Sequence, residues 1–159
     1  MMEIKENPAA YAVIKGNKNH PDIKGRVDFY DTYGGTVVVA SVRGLPGESE
    51  GGSNGFHGFH IHTGGACTEN EQGEFSSAGG HYNPKGTLHP AHAGDLPPLL
   101  ENNGAAWMAV YTKRFYPEDV VGRTVIVHEK ADDFHTQPSG AAGEMIACGE
   151  IVAWDPDIR

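Results

Sequence analysis

Residues 24–42, KGRVDFYDTYGGTVVVASV, carry a clear β-strand pattern, and this pattern indicates the fold class of the chain. Residues 24–31 alternate apolar and polar side chains, which is the period of a half-buried strand. Gly34-Gly35 marks a turn, and residues 36–42 form a β-branched run that suits a second strand. The stretch therefore predicts two β-strands joined by a turn.

Similar short segments recur along the chain. Strands are predicted at residues 10–15, 55–62, 105–112, 123–128 and 146–154, and one helical turn is predicted at 117–121. Two long segments, 63–103 and 129–143, show no sustained period, and loops of such length are uncommon unless function or a metal organises them. Seven or eight short strands with almost no helix predict an all-β fold, an antiparallel sandwich or flattened barrel with two long loops.

Composition limits the partners and the size of the fold. A chain of 159 residues predicts a single domain, 1–159, and 22 Gly with 10 Pro suit strands joined by turns. The net charge of −9 argues against nucleic acid or an anionic membrane as partner. No apolar run could span a bilayer, and the first residues lack a signal-peptide core. We expect either a cytoplasmic protein or one whose signal has been trimmed.

The segment Gly58-Phe59-His60-Ile61-His62 begins a set of metal-binding side chains. Alternate residues of a strand share a face, so His60 and His62 are expected side by side, with Phe59 and Ile61 facing the core. His57 falls on the opposite face and is interpreted as a structural histidine that hydrogen-bonds the backbone.

A second group of ligands lies in the long loop. His89, His92 and Asp95 are three residues apart, a spacing that lets a curled backbone direct all three side chains to one point. A closed tetrahedral zinc site needs a fourth ligand, and His81 is the candidate. The alternative is a loop that is merely polar. The two cysteines, Cys67 and Cys148, are either joined by a disulfide or are two buried free thiols.

Together these motifs resemble the copper,zinc superoxide dismutases, and the bacterial branch more than the eukaryotic one. The resemblance covers residues 10–153. It is carried by the motifs Gly58-Phe59-His60-Ile61-His62, Ala78-Gly79-Gly80-His81-Tyr82-Asn83-Pro84, Ala93-Gly94-Asp95-Leu96-Pro97, Val127-His128-Glu129-Lys130-Ala131-Asp132-Asp133 and Ala147-Cys148-Gly149. It implies an eight-stranded Greek-key flattened barrel of the immunoglobulin-like sandwich type, an architecture for which these dismutases are a known example.

The resemblance also implies residue roles and two cofactors, copper and zinc. The copper ligands would be His60, His62, His81 and His128; the zinc ligands would be His81, His89, His92 and Asp95. His81 would bridge both ions and carry a proton during catalysis. Asp132 would join a copper histidine to a zinc histidine. Cys67 and Cys148 would form a disulfide, which favours an extracytoplasmic protein.

The activity implied is the dismutation of the superoxide anion to dioxygen and hydrogen peroxide. One departure concerns the position three residues before Cys148, where the family usually carries an arginine and this chain has Met145. Because methionine offers no positive charge to an anion, we expect a reduced rate. Substrate steering would then depend on other cations, such as Lys85, Lys113, Arg114 or Lys130.

Three functions are compatible with these residues. The first is the dismutase; the second is a copper- and zinc-binding protein of the same fold with little or no dismutase activity, which Met145 favours. The third is an interaction module that its metals only stabilise, which the full set of seven ligands disfavours. The family includes dimers and monomers, so a homodimer is among the assemblies expected.

Overall fold

The computed structural model describes residues 4–47, 54–70 and 73–157. Its strands are β1 Ala10–Gly16, β2 Lys24–Thr32, β3 Gly35–Arg43, β4 Phe56–His57, β5 Phe59–His62, β6 Leu99–Leu100, β7 Ala105–Thr112, β8 Thr124–His128 and β9 Met145–Ala153. The helices are one 3₁₀ turn, Ser76–Ala78, and one short α-helix, α1, Pro117–Val120. The all-β prediction is confirmed.

Seven strands form one curled antiparallel sheet in the order β5-β8-β9-β1-β2-β3-β7. The connections from β3 to β5 and from β7 to β8 cross between the two ends of the sheet, as in a Greek key. The two-residue strands β4 and β6 pair with each other outside this sheet. The segment predicted as one strand at 55–62 is thus divided at Gly58 into β4 and β5.

The core fills the concave side of the curled sheet. Alternate side chains of each strand face inward, so Ile14 of β1 and Phe29 of β2 have no exposed surface, while the residues on either side of each are less buried. Phe29 packs edge to face on Phe115, with ring centroids 6.4 Å apart. Phe59 and Ile61 of β5 belong to the same core, as predicted.

The two long loops lie over the strands that carry the histidines. The first was predicted to be structureless from 63 to 103, but the structure places the 3₁₀ turn and β6 within it. These elements are too short for periodicity to indicate them. A disulfide joins Cys67 in this loop to Cys148 in β9, as the resemblance implied. Among the described residues, no helix is long and apolar enough to cross a bilayer.

Candidate metal centre

Both faces of β5 are buried, one against the apolar core and the other beneath the loops. Phe59 and Ile61 pack in the barrel core, while His60 and His62 face the loops. His128, the last residue of β8, joins them; its ring centroid lies 4.8 Å from that of His60 and 5.5 Å from that of His62. His81 completes the group, with its ring stacked on that of His60 at 4.0 Å.

One nitrogen of each of these four rings is buried without a protein partner. The atoms are His60 Nδ1, His62 Nε2, His81 Nε2 and His128 Nε2. Of the buried side-chain polar atoms in the described residues, only Thr124 Oγ1 is also without a hydrogen bond. Such groups are costly to bury and require an explanation. Ligand atoms from these four residues lie within 4.8 Å of one another, which makes the group suitable for one metal ion.

The opposite nitrogens are held by hydrogen bonds that fix the rings. His62 Nδ1 donates to the Gly79 carbonyl at 2.7 Å, and His128 Nδ1 donates to the Gly143 carbonyl at 3.3 Å. Because each N–H points outward, the lone pair of the other nitrogen faces its neighbours. This is the tautomer that a metal-binding imidazole requires.

Burial keeps three of these imidazoles neutral, those of His60, His62 and His128. It lowers the pKa of His60 to about 4, against the opposing effect of its hydrogen bond to Asp132. It lowers the pKa of His62 to about 3, with repulsion from His81 adding to the shift. Burial also holds the pKa of His128 well below its ordinary range. Neutral rings at neutral pH can offer lone pairs to a metal.

The second cluster is centred on the Asp95 carboxylate. His81 Nδ1 lies 2.8 Å from its Oδ1, and His89 Nδ1 and His92 Nδ1 lie 3.0 and 3.1 Å from its Oδ2. Burial raises the pKa of Asp95, but the hydrogen bond and charge of His81 outweigh it, so the pKa is lowered. Three imidazole nitrogens and one carboxylate form the donor set of a tetrahedral zinc site. The four residues predicted from spacing are therefore brought together.

His81 belongs to both clusters. Its Nδ1 faces Asp95 and lies 3.3 Å from His92 Nδ1, while its Nε2 is one of the four unpartnered nitrogens. A single ring therefore presents one nitrogen to each set of ligands. An isolated β-bridge between His62 and His81 positions this part of the loop beside β5.

Asp132 connects the two clusters through one ring nitrogen of His60 and one of His89. Its Oδ2 accepts from His60 Nε2 and its Oδ1 accepts from His89 Nε2, both at 2.8 Å. Burial raises the pKa of Asp132, but these two hydrogen bonds and one from the Phe134 backbone N–H outweigh it and lower the pKa below its ordinary value. An ionised carboxylate thus fixes the orientation of both rings.

Three residues support the ligands from outside the two clusters; the sequence indicated neither Gly140 nor Gln137, and it suggested Arg114 only as a steering cation. Gly140, at a φ of +76°, packs so closely on Asp132 and His89 that a Cβ would collide with both side chains. The Gln137 amide accepts from the His89 backbone N–H at 2.9 Å and donates to its carbonyl at 2.7 Å. Arg114 donates to the carbonyls of Pro90 and His92, each at 2.9 Å. Only the Gly- and Pro-rich loop around 137–143 could have suggested Gly140 and Gln137, and nothing in the sequence indicates this role for Arg114.

His57 has the structural role that was predicted for it. It has no exposed surface, and its ring nitrogens lie 2.9 Å from the His128 carbonyl and 3.1 Å from the Pro46 carbonyl. It therefore supports the backbone of His128 from the core side and offers no free nitrogen to a metal.

A cavity of about 440 Å³ opens beside the four unpartnered nitrogens. The residues that line it are His62, Gly79, Gly80, His81, Asn83, His92, His128, Pro138, Ser139, Gly143 and Met145. Within the described part of the chain, no Lys or Arg lines it. Arg114, a candidate steering cation, donates to two backbone carbonyls of the ligand loop instead. Among the described residues, the wall of this cavity therefore has no Lys or Arg side chain to attract an anion.

Comparison with known proteins identifies the class. The family model of copper/zinc superoxide dismutase matches residues 23–151. Superoxide dismutase [Cu-Zn] of Actinobacillus pleuropneumoniae is 35% identical over 153 residues, covering 87% of this chain and 75% of that protein. Superoxide dismutase [Cu-Zn] 3 of Arabidopsis thaliana is 33% identical over 161 residues, covering 91% of this chain and 90% of that protein.

A solved structure agrees with this result. Cu/Zn superoxide dismutase from Brucella abortus superimposes with a TM-score of 0.74 at 26% identity, covering 89% of this chain and 98% of that chain. This chain belongs to the copper/zinc superoxide dismutase family. Its activity is the dismutation of superoxide, and its cofactors are copper and zinc.

Proposed function

We propose that the two ions are divided between the clusters as follows. Copper would be held by His60, His62, His81 and His128, and zinc by His81, His89, His92 and Asp95. The observation that carries this assignment is the set of four buried, unpartnered nitrogens, one of which belongs to a ring whose other nitrogen faces Asp95. Imidazole suits copper, and a site of three imidazoles and a carboxylate suits zinc.

The choice between His60 and His92 as a zinc ligand follows from their hydrogen bonds. By proximity alone, His60 groups with His81, His89 and Asp95. However, His60 Nε2 already donates to Asp132, and its Nδ1 is one of the four nitrogens that converge on the copper set. His92 Nδ1 lies 3.1 Å from Asp95. We therefore assign His92 to zinc and His60 to copper.

His81 is the residue to which we assign proton transfer. Copper, when bound, supplies the alternate one-electron reduction and oxidation of superoxide. Nε2 of His81 has no protein partner, so it can take up a proton there while Nδ1 remains with the zinc set. A proton held at Nε2 faces the cavity, where the peroxide product needs it.

Asp132 is a positioning residue in this scheme. Its two carboxylate oxygens each hold one ring nitrogen that points away from the metals, so it fixes the tautomers of His60 and His89 together. A carboxylate behind a ligating histidine also raises the basicity of that ligand. The geometry of the copper set thereby becomes coupled to that of the zinc set.

We further propose that Met145 reduces the rate. It lines the cavity at the position where the family resemblance expects an arginine, and its thioether carries no charge to attract an anion. Electrostatic steering can change association rates by about 10 to 1,000-fold. With a net charge of −9 and no cation lining this cavity within the described residues, superoxide would approach without that assistance.

The same observation favours a second candidate function. A protein of this fold that binds copper and zinc tightly but turns over superoxide poorly would serve in metal handling. The two functions differ in one measurable quantity, the dismutase rate per bound copper.

The test uses protein whose copper and zinc contents have been measured. We expect one copper and one zinc per chain, and Met145→Arg should raise dismutase activity by about tenfold, which corresponds to about 1.4 kcal/mol of barrier. The arginine should also steepen the fall of rate with added salt, because attraction to a charge near solvent is screened. Met145→Gln is the uncharged control.

Equal activity in all three forms would contradict the steering account. Absence of activity in all three, with both metals bound, would favour metal handling. Zinc alone after copper loading would contradict the copper assignment.

The remaining proposals concern the cellular context. The disulfide between Cys67 and Cys148 supports an extracytoplasmic location, where such bonds persist. The net charge supports the absence of nucleic acid and anionic membrane as general partners. We propose one domain over residues 1–159 and a homodimer, to be tested by sedimentation equilibrium.

A further inference from the structure

A second cavity lies on the outer face of the sheet, and it shares no lining residue with the cavity beside the histidines. Its volume is about 700 Å³, within the usual range for small-molecule sites. Five basic side chains line it: Lys15, Lys18, Lys24, Arg26 and Arg43. The whole chain has only 12 Lys and Arg, and its net charge is −9. Five of the 12 basic residues of a strongly acidic protein thus line one cavity.

Three of these cations form a straight row across the sheet. Lys15 of β1 lies opposite Lys24 of β2, and Lys24 lies opposite Arg43 of β3. All three residues are exposed and on the outer face, since the residues beside them in each strand are more buried. Adjacent strands are about 4.8 Å apart, so the outer two members of the row are about 10 Å apart along the sheet. We call these three residues the basic row.

Like charges directly opposite each other destabilise a sheet. Within the described residues, none of the three side chains of the basic row makes an ion pair that would offset this repulsion. The sequence places cations at three consecutive positions of one cross-strand row, where a single Glu or Asp would relieve the repulsion. An anionic ligand along the row would relieve it in the same way.

The surroundings of the basic row are ordered and mixed in character. Arg26 is held by Asp28, with Nε 2.7 Å from Oδ1, and its guanidinium lies 4.3 Å from the centre of the Tyr11 ring. Val13, half exposed, and Pro21 give the cavity an apolar wall. No acidic residue among the described ones lines the cavity, although Glu74 accepts from the Lys18 backbone N–H nearby.

We propose that this cavity binds a ligand with several adjacent phosphate groups, such as a linear polyphosphate. Successive phosphates along the basic row would each meet a cation, and Lys18 at the β1–β2 turn would extend the contact. Positive charges spaced regularly by the strand register match such a ligand better than one small anion, because a single phosphate cannot reach all three. The site is independent of the metal ligands and of the dismutase reaction.

The test is isothermal titration calorimetry of the metal-loaded protein with tripolyphosphate. We expect one binding site per chain and an affinity that falls as salt is added. Lys24→Gln, which removes the central cation, should weaken binding about tenfold or more. Lys113→Gln removes an exposed cation outside the cavity and should leave affinity unchanged. A cooperative thermal transition in both variants confirms that each is folded, and in Lys24→Gln it should lie at or above the wild-type temperature because a repulsion is removed.

Several results would overturn the proposal. Equal affinity of the wild type and Lys24→Gln would show that the basic row does not hold the ligand. Equal losses in Lys24→Gln and Lys113→Gln would indicate general charge attraction. Orthophosphate that binds as tightly as tripolyphosphate would exclude recognition of adjacent groups. A single-stranded oligonucleotide that binds more tightly than tripolyphosphate would point to nucleic acid instead.

Discussion

The curled sheet and the two long loops are stabilised by different interactions. In the sheet, apolar side chains such as Ile14, Phe29 and Ile151 are buried in one continuous core. In the loops, the buried residues include His89, His92 and Asp132, whose polar atoms depend on one another, on Asp95 or on a metal for partners. Hydrophobic burial is insensitive to metals and to mild acid, whereas a cluster of imidazoles is sensitive to both.

This difference predicts that conditions which disorder the loops will leave the sheet intact. The sheet would support a stable barrel before any metal arrives. The loops would gain their final order from the disulfide, the Asp132 bridge and the bound ions.

The largest effect we expect is acid destabilisation of the metal-free protein. Unfolded His60 and His62 would take up protons below a pH of about 6.5, whereas in the folded protein their pKa values are lowered to about 4 and about 3. The unfolded state therefore binds more protons in this window, and stability falls as the pH falls from about 6.5 toward 4. Each pKa unit corresponds to about 1.4 kcal/mol, so the loss is several kcal/mol.

Thermal denaturation across this pH range measures the effect. His135→Gln, which removes an exposed histidine, is the control and should keep the wild-type profile. A flat profile for the metal-free protein would show that the buried imidazoles do not titrate as described.

Truncation of the core sharpens the comparison. Phe29→Ala should cost about 3–5 kcal/mol, as large aromatic deletions do, and the cost should be equal with and without metals. Asp95→Ala should lower the melting temperature of the zinc-loaded protein much more than that of the metal-free protein. Differential scanning calorimetry of both variants in both states provides the four values, and equal costs for Asp95→Ala in the two states would break the distinction.

Loss of the disulfide should affect the loop more than the sheet. The bond closes a sequence separation of 81 residues, and removal of a native disulfide typically costs about 2–5 kcal/mol. We expect Cys67→Ser combined with Cys148→Ser to increase amide hydrogen exchange in residues 63–95 while β2 and β3 stay protected. Uniformly faster exchange over the whole chain would indicate that the bond stabilises the barrel itself.

A smaller effect is expected from the residue that couples the two clusters. Asp132→Ala removes no proposed ligand but frees the rings of His60 and His89, so copper affinity should fall by about 10–100-fold. Asp133→Ala, which removes the neighbouring exposed carboxylate, should leave it unchanged. Competition titration with a copper chelator measures both, and the bridge would have no role if the two variants behaved alike.

The sequence predicted the sheet and the loops to different extents. Period-two alternation placed Phe59 and Ile61 in the core and directed His60 and His62 to the other face, since strand geometry alone determines this. Spacing alone suggested His89, His92 and Asp95 as a group. The bridge made by Asp132 followed only from the family resemblance, because its partners lie 72 and 43 residues away.

Other features could not be predicted because they depend on packing between distant segments. Gly140 fits against Asp132 only once the second loop has folded, and Gln137 reaches His89 across 48 residues. The two-residue strands β4 and β6 are too short to show a period. The basic row could not be predicted from the sequence either, since Lys15, Lys24 and Arg43 become neighbours only through strand register.

The central claim is that seven side chains hold two ions through one shared histidine. The most direct test is a crystal structure of the copper- and zinc-loaded protein, with anomalous diffraction recorded on both sides of the copper and zinc absorption edges. We predict two separate peaks flanking the His81 ring, with copper on the Nε2 side among the four unpartnered nitrogens and zinc on the Nδ1 side beside Asp95. A single peak, or copper and zinc signals on the same side of His81, would contradict the account.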